Sequence, residues 1–167
     1  MSKNKDLLEA LLDREAIRDL PLRYCDHVWR DDIDGLVDLF AKDGEFIMAI
    51  NNKETGAKGH AALLEIYQSG LAIQPRPFIH NHVIELLDDK KARGRCYLDL
   101  RSAKKNMAFI GAGYYADTYV KEKGIWKFQR RHFTALRIDD NPVAALPAPE
   151  KTKPKPTAKA KRTARPR

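Results

Sequence analysis

Four extended runs, 78–87, 91–102, 107–121 and 125–138, follow one another in the second half of the chain, separated only by "DDKK", "SAKKN" and "EKG". Connections this short join antiparallel neighbours, because a parallel crossover needs a dozen or more residues. The first half reads differently. From about Lys5 to about Phe40 the pattern is helical, with Ile17, Leu20, Tyr24 and Val28 on one stripe at spacings of three and four. Pro21 is expected to kink or interrupt that region, dividing it into two or three pieces. A short helix over Ile33 to Ala41 should close at Gly44 in "KDG". "EFIMAI" then reads as a strand, "NNKETGAKG" as a hairpin or loop, and "HAALLEIYQSG" as a helix ending at Gly70. After the "QPRP" breaker come the four long runs. Helices followed by long antiparallel strands make an α+β fold, in which a curved sheet wraps over the helices and encloses a pocket between the layers.

The net charge of +8 would suggest a nucleic-acid partner if it were spread over the body. It is not: residues 147–167, "PAPEKTKPKPTAKAKRTARPR", hold eight Lys or Arg and one acid, which leaves the remainder at +1. The organisation is therefore a domain over 1–146 and a basic Lys/Pro/Ala-rich tail over 147–167. That tail has no large apolar residue to offset its ordering entropy and should be disordered. It could contact nucleic acid or another polyanion through counterion release, or serve only as a solvated extension. No segment approaches the roughly 20 apolar residues of a membrane span, so no membrane contact and a cytoplasmic location are expected. The two cysteines, Cys25 and Cys96, fall in no metal or redox spacing and read as reduced core thiols.

"RPFIHNHVIELL", residues 76–87, poses the functional question. As one strand it puts Phe78, His80, His82, Ile84 and Leu86 on one face, with Asn81 on the other. A neutral imidazole can take a proton alpha to a carbonyl or return one to a leaving hydroxyl, as a dehydratase or isomerase requires. Alternatively, both rings are core histidines with satisfied hydrogen bonds. The H-x-H spacing also allows a metal site, since residues two apart lie about 7 Å apart on one face; His132 or Asp99 would have to supply a third ligand.

Other candidates come from the helix and the later strands. Tyr24 could donate its hydroxyl to a substrate carbonyl, or be a core residue with a satisfied hydroxyl. Trp29 should line or cap the pocket. By strict alternation, Arg131 shares a face with Lys127, Gln129 and Phe133, while Trp126, Phe128, Arg130 and His132 share the other. Arg95, Tyr97, Asp99 and Arg101 form a charged face opposite Cys96, Leu98 and Leu100, with Asp99 an ion-pair residue or a catalytic acid. Gly111 and Gly113 in "IGAGYY" suit a bulge or bend rather than phosphate binding.

The order of elements, with "DREAIRDLPLRYCDHVWRDDIDGLVDLFAKDGEF" near the start and "GIWKFQRRHF" near the end, resembles the SnoaL-like branch of the nuclear transport factor 2-like (NTF2-like) superfamily over roughly residues 8–138. That resemblance implies an α+β cone, N-terminal helices packed against a curved, mainly antiparallel sheet around a pocket. It also implies a homodimer. In the lyases of the family, a helix-borne Tyr or Asp meets a strand-borne His inside the cone. Tyr24 falls at the tyrosine position, the aspartate position holds Trp29, and the histidine position aligns with Pro77 unless a small gap restores His80. The resemblance further implies that Arg131 can reach the cavity.

Together these readings give a small-molecule lyase or isomerase of dehydratase type, acting on an apolar, cyclic or polyketide-like substrate by acid–base chemistry with no cofactor and no metal. His80, Tyr24 and His82 are the catalytic candidates; Trp29, Arg131, Cys25 and Asn81 are the substrate-binding ones. The alternatives are a non-catalytic ligand-binding or subunit-assembly protein on the same fold, and a metal-dependent His-x-His site.

Overall fold

The computed structural model describes residues 2–139, with side chains from residue 4 onward. The expected basic tail, 147–167, and the proposed domain limit at 146 lie outside the described residues. Three helices, α1 (Ser2–Trp29), α2 (Ile33–Asp38) and α3 (His60–Gly70), pack on seven strands: β1 (Phe40–Ile50), β2 (Lys53–Lys58), β3 (Pro75–Ile79), β4 (Val83–Leu86), β5 (Lys91–Ser102), β6 (Ala108–Glu122) and β7 (Ile125–Ile138). The sheet order is β2-β1-β7-β6-β5-β3, with β4 also on β5 beyond β3. All pairings are antiparallel except β1 with β7. The fold is α+β, helices against a curved, unclosed mixed sheet.

The α1 stripe forms as the spacing predicts: Ile17, Leu20 and Tyr24 are buried and Val28 packs against the core they build. Pro21 does not divide the helix, which runs unbroken from Ser2 to Trp29. Its ring is fully buried, so apolar burial offsets the hydrogen bond that proline cannot donate. Past Trp29 the chain turns sharply through Asp31, at φ +54°. Asp32 then caps α2, its Oδ1 accepting from the Gly35 amide at 3.0 Å.

Two expected boundaries shift. The second helix ends at Asp38, not Ala41, and β1 already begins at Phe40. Gly44 is no helix cap; it sits within β1, where the β1–β7 register slips between Phe40 and Glu45. A Cβ there would come within 3.0 Å of the Ala41 carbonyl and the Phe40 side chain, so the close strand approach requires glycine.

The expected strand 78–87 is two strands. β3 begins at Pro75 and stops at Ile79, β4 begins at Val83, and residues 80–82 belong to neither. Prolines 75 and 77 fit because β3 is an edge strand, where a missing donor costs least. The strict alternation expected along β7 also fails. Thr118 pairs with Arg130 and Tyr119 with Phe128, leaving Gln129 as an extra residue. This bulge turns Arg131 and Phe133 onto the same buried side as Trp126 and Phe128.

Candidate active site

A cavity of about 700 Å³ opens between α1, α3 and the inner sheet face, within the size range of small-molecule sites. Its walls are largely apolar: Val28, Leu36, Phe46, Met48, Leu100 and Phe133 are among them. Three tyrosines from three elements line it: Tyr24 of α1, Tyr67 of α3 and Tyr115 of β6. Tyr24 comes from the buried stripe of α1, and Tyr67 lies one turn beyond fully buried Leu63 on α3. The Tyr24 hydroxyl donates to the Tyr67 hydroxyl at 3.2 Å, and the Tyr24 and Tyr115 rings meet edge to face at 5.9 Å. Burial raises the phenol pKa of all three; the Arg131 charge opposes that rise in each.

Arg131 lies behind these rings and is fully buried. Its guanidinium carbon is 3.6 Å from the Tyr115 ring centre, 4.2 Å from Tyr24 and 4.6 Å from Phe128, so three aromatic faces replace part of its hydration. Nη2 stands 3.7 Å from Asp117 Oδ2 and donates to Cys96 Sγ at 3.7 Å. Nε and Nη1 have no hydrogen-bond partner. Burial works against the Arg131 charge, but Asp117, Cys96 and the tyrosines hold its pKa above the usual arginine value. Burial pushes Asp117 up to about 6, against the pull of Arg131 and of its bond from Tyr119.

That bond continues the network outward. Tyr119 Oη donates to Asp117 Oδ2 at 3.1 Å, and His82 Nε2 lies 3.0 Å from the same hydroxyl. Because the hydroxyl proton is committed to Asp117, His82 must donate from Nε2, which leaves Nδ1 unprotonated and, as observed, without a partner. Burial, and after it Arg131 and Arg18, lower His82 to about 4, so it is neutral near pH 7.

The cavity rim carries an ion pair that pattern reading did not find. Arg76 is buried and grips Asp31 with both terminal nitrogens at 3.0 Å, Nη1 also donating to the Val28 carbonyl at 2.8 Å. Asp31 stands two residues past the position where the lyase resemblance looks for an aspartate, and Arg76 immediately precedes Pro77, the position aligned with the histidine. The left-handed turn at Asp31 brings that carboxylate to the cavity, and nothing in a helical or strand period signals it.

The sequence-derived candidates separate. Tyr24 lines the cavity, with Arg131 against its ring. His82 joins the network behind it through Tyr119. His80 lies outside the cavity, its side chain 54% exposed and 3.4 Å from Asp99, because β3 turns Phe78 outward and His80 follows two residues later on the same face. Asn81 is exposed and accepts from the Tyr97 amide at 3.2 Å. Trp29 caps the β3 edge rather than lining the cavity; it donates to the Pro77 carbonyl at 3.0 Å and meets Phe78 edge to face. Cys25 packs against the core without reaching the wall. Burial pushes its thiol to about 11 and that of Cys96 to about 12, so both are protonated at neutral pH. His132 lies on the outer face near Glu54. No group of three or more His, Cys, Asp or Glu that could hold a metal occurs among the described residues, and no helix among them is long and apolar enough to cross a membrane.

With this geometry in place, the family follows. A SnoaL-like domain matches residues 9–132. The chain belongs to the SnoaL-like family. Among solved structures, an NTF2-like protein with a cystatin-like fold from Novosphingobium aromaticivorans is 22% identical, covers 89% of this chain and 97% of its own, and superposes with a TM-score of 0.73. A candidate scytalone dehydratase from the same organism is 26% identical over 79% and 89% of the two chains, TM-score 0.68. The hexachlorocyclohexane dehydrochlorinase LinA-type3 from Novosphingobium barchaimii is 19% identical over 79% and 92%, TM-score 0.69. No curated protein matches the SnoaL-like chain in sequence.

Proposed function

We propose that the cone cavity binds a small apolar or cyclic molecule and performs lyase or isomerase chemistry of the dehydratase type, by proton transfer without a cofactor. The observation that carries this reading is an apolar cavity of about 700 Å³ lined by the Tyr24–Tyr67 hydroxyl pair, with a buried guanidinium against the Tyr24 ring. In it, Tyr24 turns its hydroxyl proton from Tyr67 to the substrate carbonyl and stabilises the enolate that forms on loss of the neighbouring proton. Arg131 supports that charge from behind the ring. Asp31, on the cavity wall, accepts the proton, and Arg76 fixes the carboxylate's position. The proton then returns at a second carbon in an isomerisation, or leaves with a departing hydroxyl as water in a dehydration. His82 acts through Tyr119 and Asp117 as a positioning residue. His80 has no part in this reading.

Membership of the SnoaL-like family and the fold shared with a dehydrochlorinase support the reaction class. In the same reading the protein is a homodimer and the basic tail is available to polyanions. The test is exchange of the alpha protons of 2-tetralone into deuterated water, followed by NMR. The native chain should accelerate it; Tyr24→Phe should remove about a hundredfold of that acceleration, the loss typical of one oxyanion donor, while His80→Gln should leave it intact. No acceleration by the native chain would contradict catalysis.

A second reading, a non-catalytic ligand-binding or subunit-assembly protein, has one observation in its favour: Asp31 is held in two hydrogen bonds by Arg76 and must weaken them to accept a proton. Binding of 2-tetralone without exchange would favour it.

A further inference from the structure

The polar groups around the cavity can be followed one by one to their partners, and this assigns a charge to the ligand. Asp31 and Arg76 neutralise each other at the rim. Asp139 is paired with Arg137 at 2.9 Å. Ser69 donates to the Ile66 carbonyl and Ser102, fully buried, to the Ile73 carbonyl, both at 2.7 Å. Tyr24 and Tyr67 bond each other deeper in the cavity. Apart from the neutral Tyr115 hydroxyl, what remains is Lys104 and Lys105, in the short 3-10 turn between β5 and β6. Both line the cavity, both are exposed, and neither has an ion-pair partner among the described residues. The charge left over at this cavity is thus wholly positive, and it is concentrated on one side of an otherwise apolar wall.

Resting on the reading of this cavity as the active site, we infer that its substrate is an amphipathic carboxylic acid: an alicyclic or aromatic ring body against the apolar wall, an oxygen function at Tyr24 and Tyr67, and a carboxylate at the mouth held by Lys104 and Lys105. Lysine suits this place. Its ammonium is a compact charge on a flexible stem, able to follow acids of different length without the fixed geometry of an arginine fork.

The experiment measures binding of 6-hydroxy-2-naphthoic acid, its neutral amide and 2-naphthol to the full chain by ligand fluorescence. The acid should bind about tenfold tighter than the amide, the discrimination expected of a charge-assisted contact. Lys104→Gln with Lys105→Gln should abolish that preference while leaving 2-naphthol affinity unchanged, and salt at about 0.5 M should reduce it by screening. Equal affinity for acid and amide would overturn the inference, and so would an acid preference that survives the double substitution. If 2-naphthol still binds in a manner weakened by Tyr24→Phe, the tyrosine site stands and only the acid is wrong. No binding by any of the three would overturn both.

Discussion

The two faces of β5, β6 and β7 carry ion pairs of opposite kinds. On the outer face, Arg93 pairs with Glu85 and Arg130 with Glu45, while His80 lies near Asp99 and His132 near Glu54. Apart from the more buried His132, these side chains are partly in water, where such pairs contribute about 0–1 kcal/mol each. On the inner face, beside the partly exposed pair of Lys121 with Asp13 of α1, stands the pair of Arg131 with Asp117, and neither of these last two side chains has any exposure. Its distance, 3.7 Å, is no shorter than the outer ones. Burial alone separates them: the outer charges are screened and exchangeable, whereas the inner ones hold their field against the tyrosines of the cavity. Two histidines two residues apart in sequence fall on the two sides of this divide, His80 with the outer set and His82 with the inner network.

The sharpest way to break the comparison is to cut the inner pair. Arg131→Met should destabilise the fold by about 3–5 kcal/mol, since it leaves Asp117 as an uncompensated buried charge. Asp117→Leu in the same chain should restore most of the loss, because an apolar pair needs no desolvation. Urea denaturation of the two single variants and the double variant measures both. A single-variant loss under about 1 kcal/mol would place the inner pair with the outer ones.

Next in size is Tyr24→Phe. It should cost about 1 kcal/mol of stability, the usual net value of one hydrogen bond, far less than its effect on exchange at 2-tetralone. Equal losses of fold and activity would make the hydroxyl structural.

Titration sharpens the comparison further. His82 is depressed from 6.5 to about 4, so between those values the unfolded chain binds the proton and the folded chain does not; stability therefore falls as pH falls through that window. Asp117 is raised from 3.8 to about 6, so over the overlapping range the folded chain binds the extra proton and stability rises as pH falls. The two trends oppose. His82→Gln should leave the Asp117 trend exposed, making the variant relatively more stable at pH 4 than at pH 7, as thermal melts across pH would reveal. The smallest effect belongs to the outer face: His80→Gln should change stability by less than about 0.5 kcal/mol, and a larger loss would mean that His80 holds structure its exposure does not suggest.

These contrasts also mark what the sequence could disclose. The α+β order, the α1 stripe with Tyr24, the α3 helix and the long antiparallel strands were legible because each follows one period over many residues. The inner network was half legible: Tyr115, Asp117 and Tyr119 alternate on β6 and could have been placed together, but Arg131 reaches them only through an extra residue at Gln129, which no alternation announces. The two histidines were read as sharing one face, but Phe78 and His80 face outward, and the three residues at 80–82 that leave the sheet let His82 turn inward. Asp31 was hidden by a single left-handed residue after α1. Interruptions of periodicity, rather than unusual residues, set the limit at this site.

The account rests on the inner tyrosines, not the outer histidine, being the working end of the molecule. The most direct measurement is a crystal structure of the full chain with 2-naphthol. The account predicts the naphthol oxygen within about 3 Å of Tyr24 Oη, hydrogen-bonding distance, and the rings against Phe46, Met48 and Phe133. Naphthol bound beside His80 and Asp99 instead, with the cavity unliganded, would contradict it.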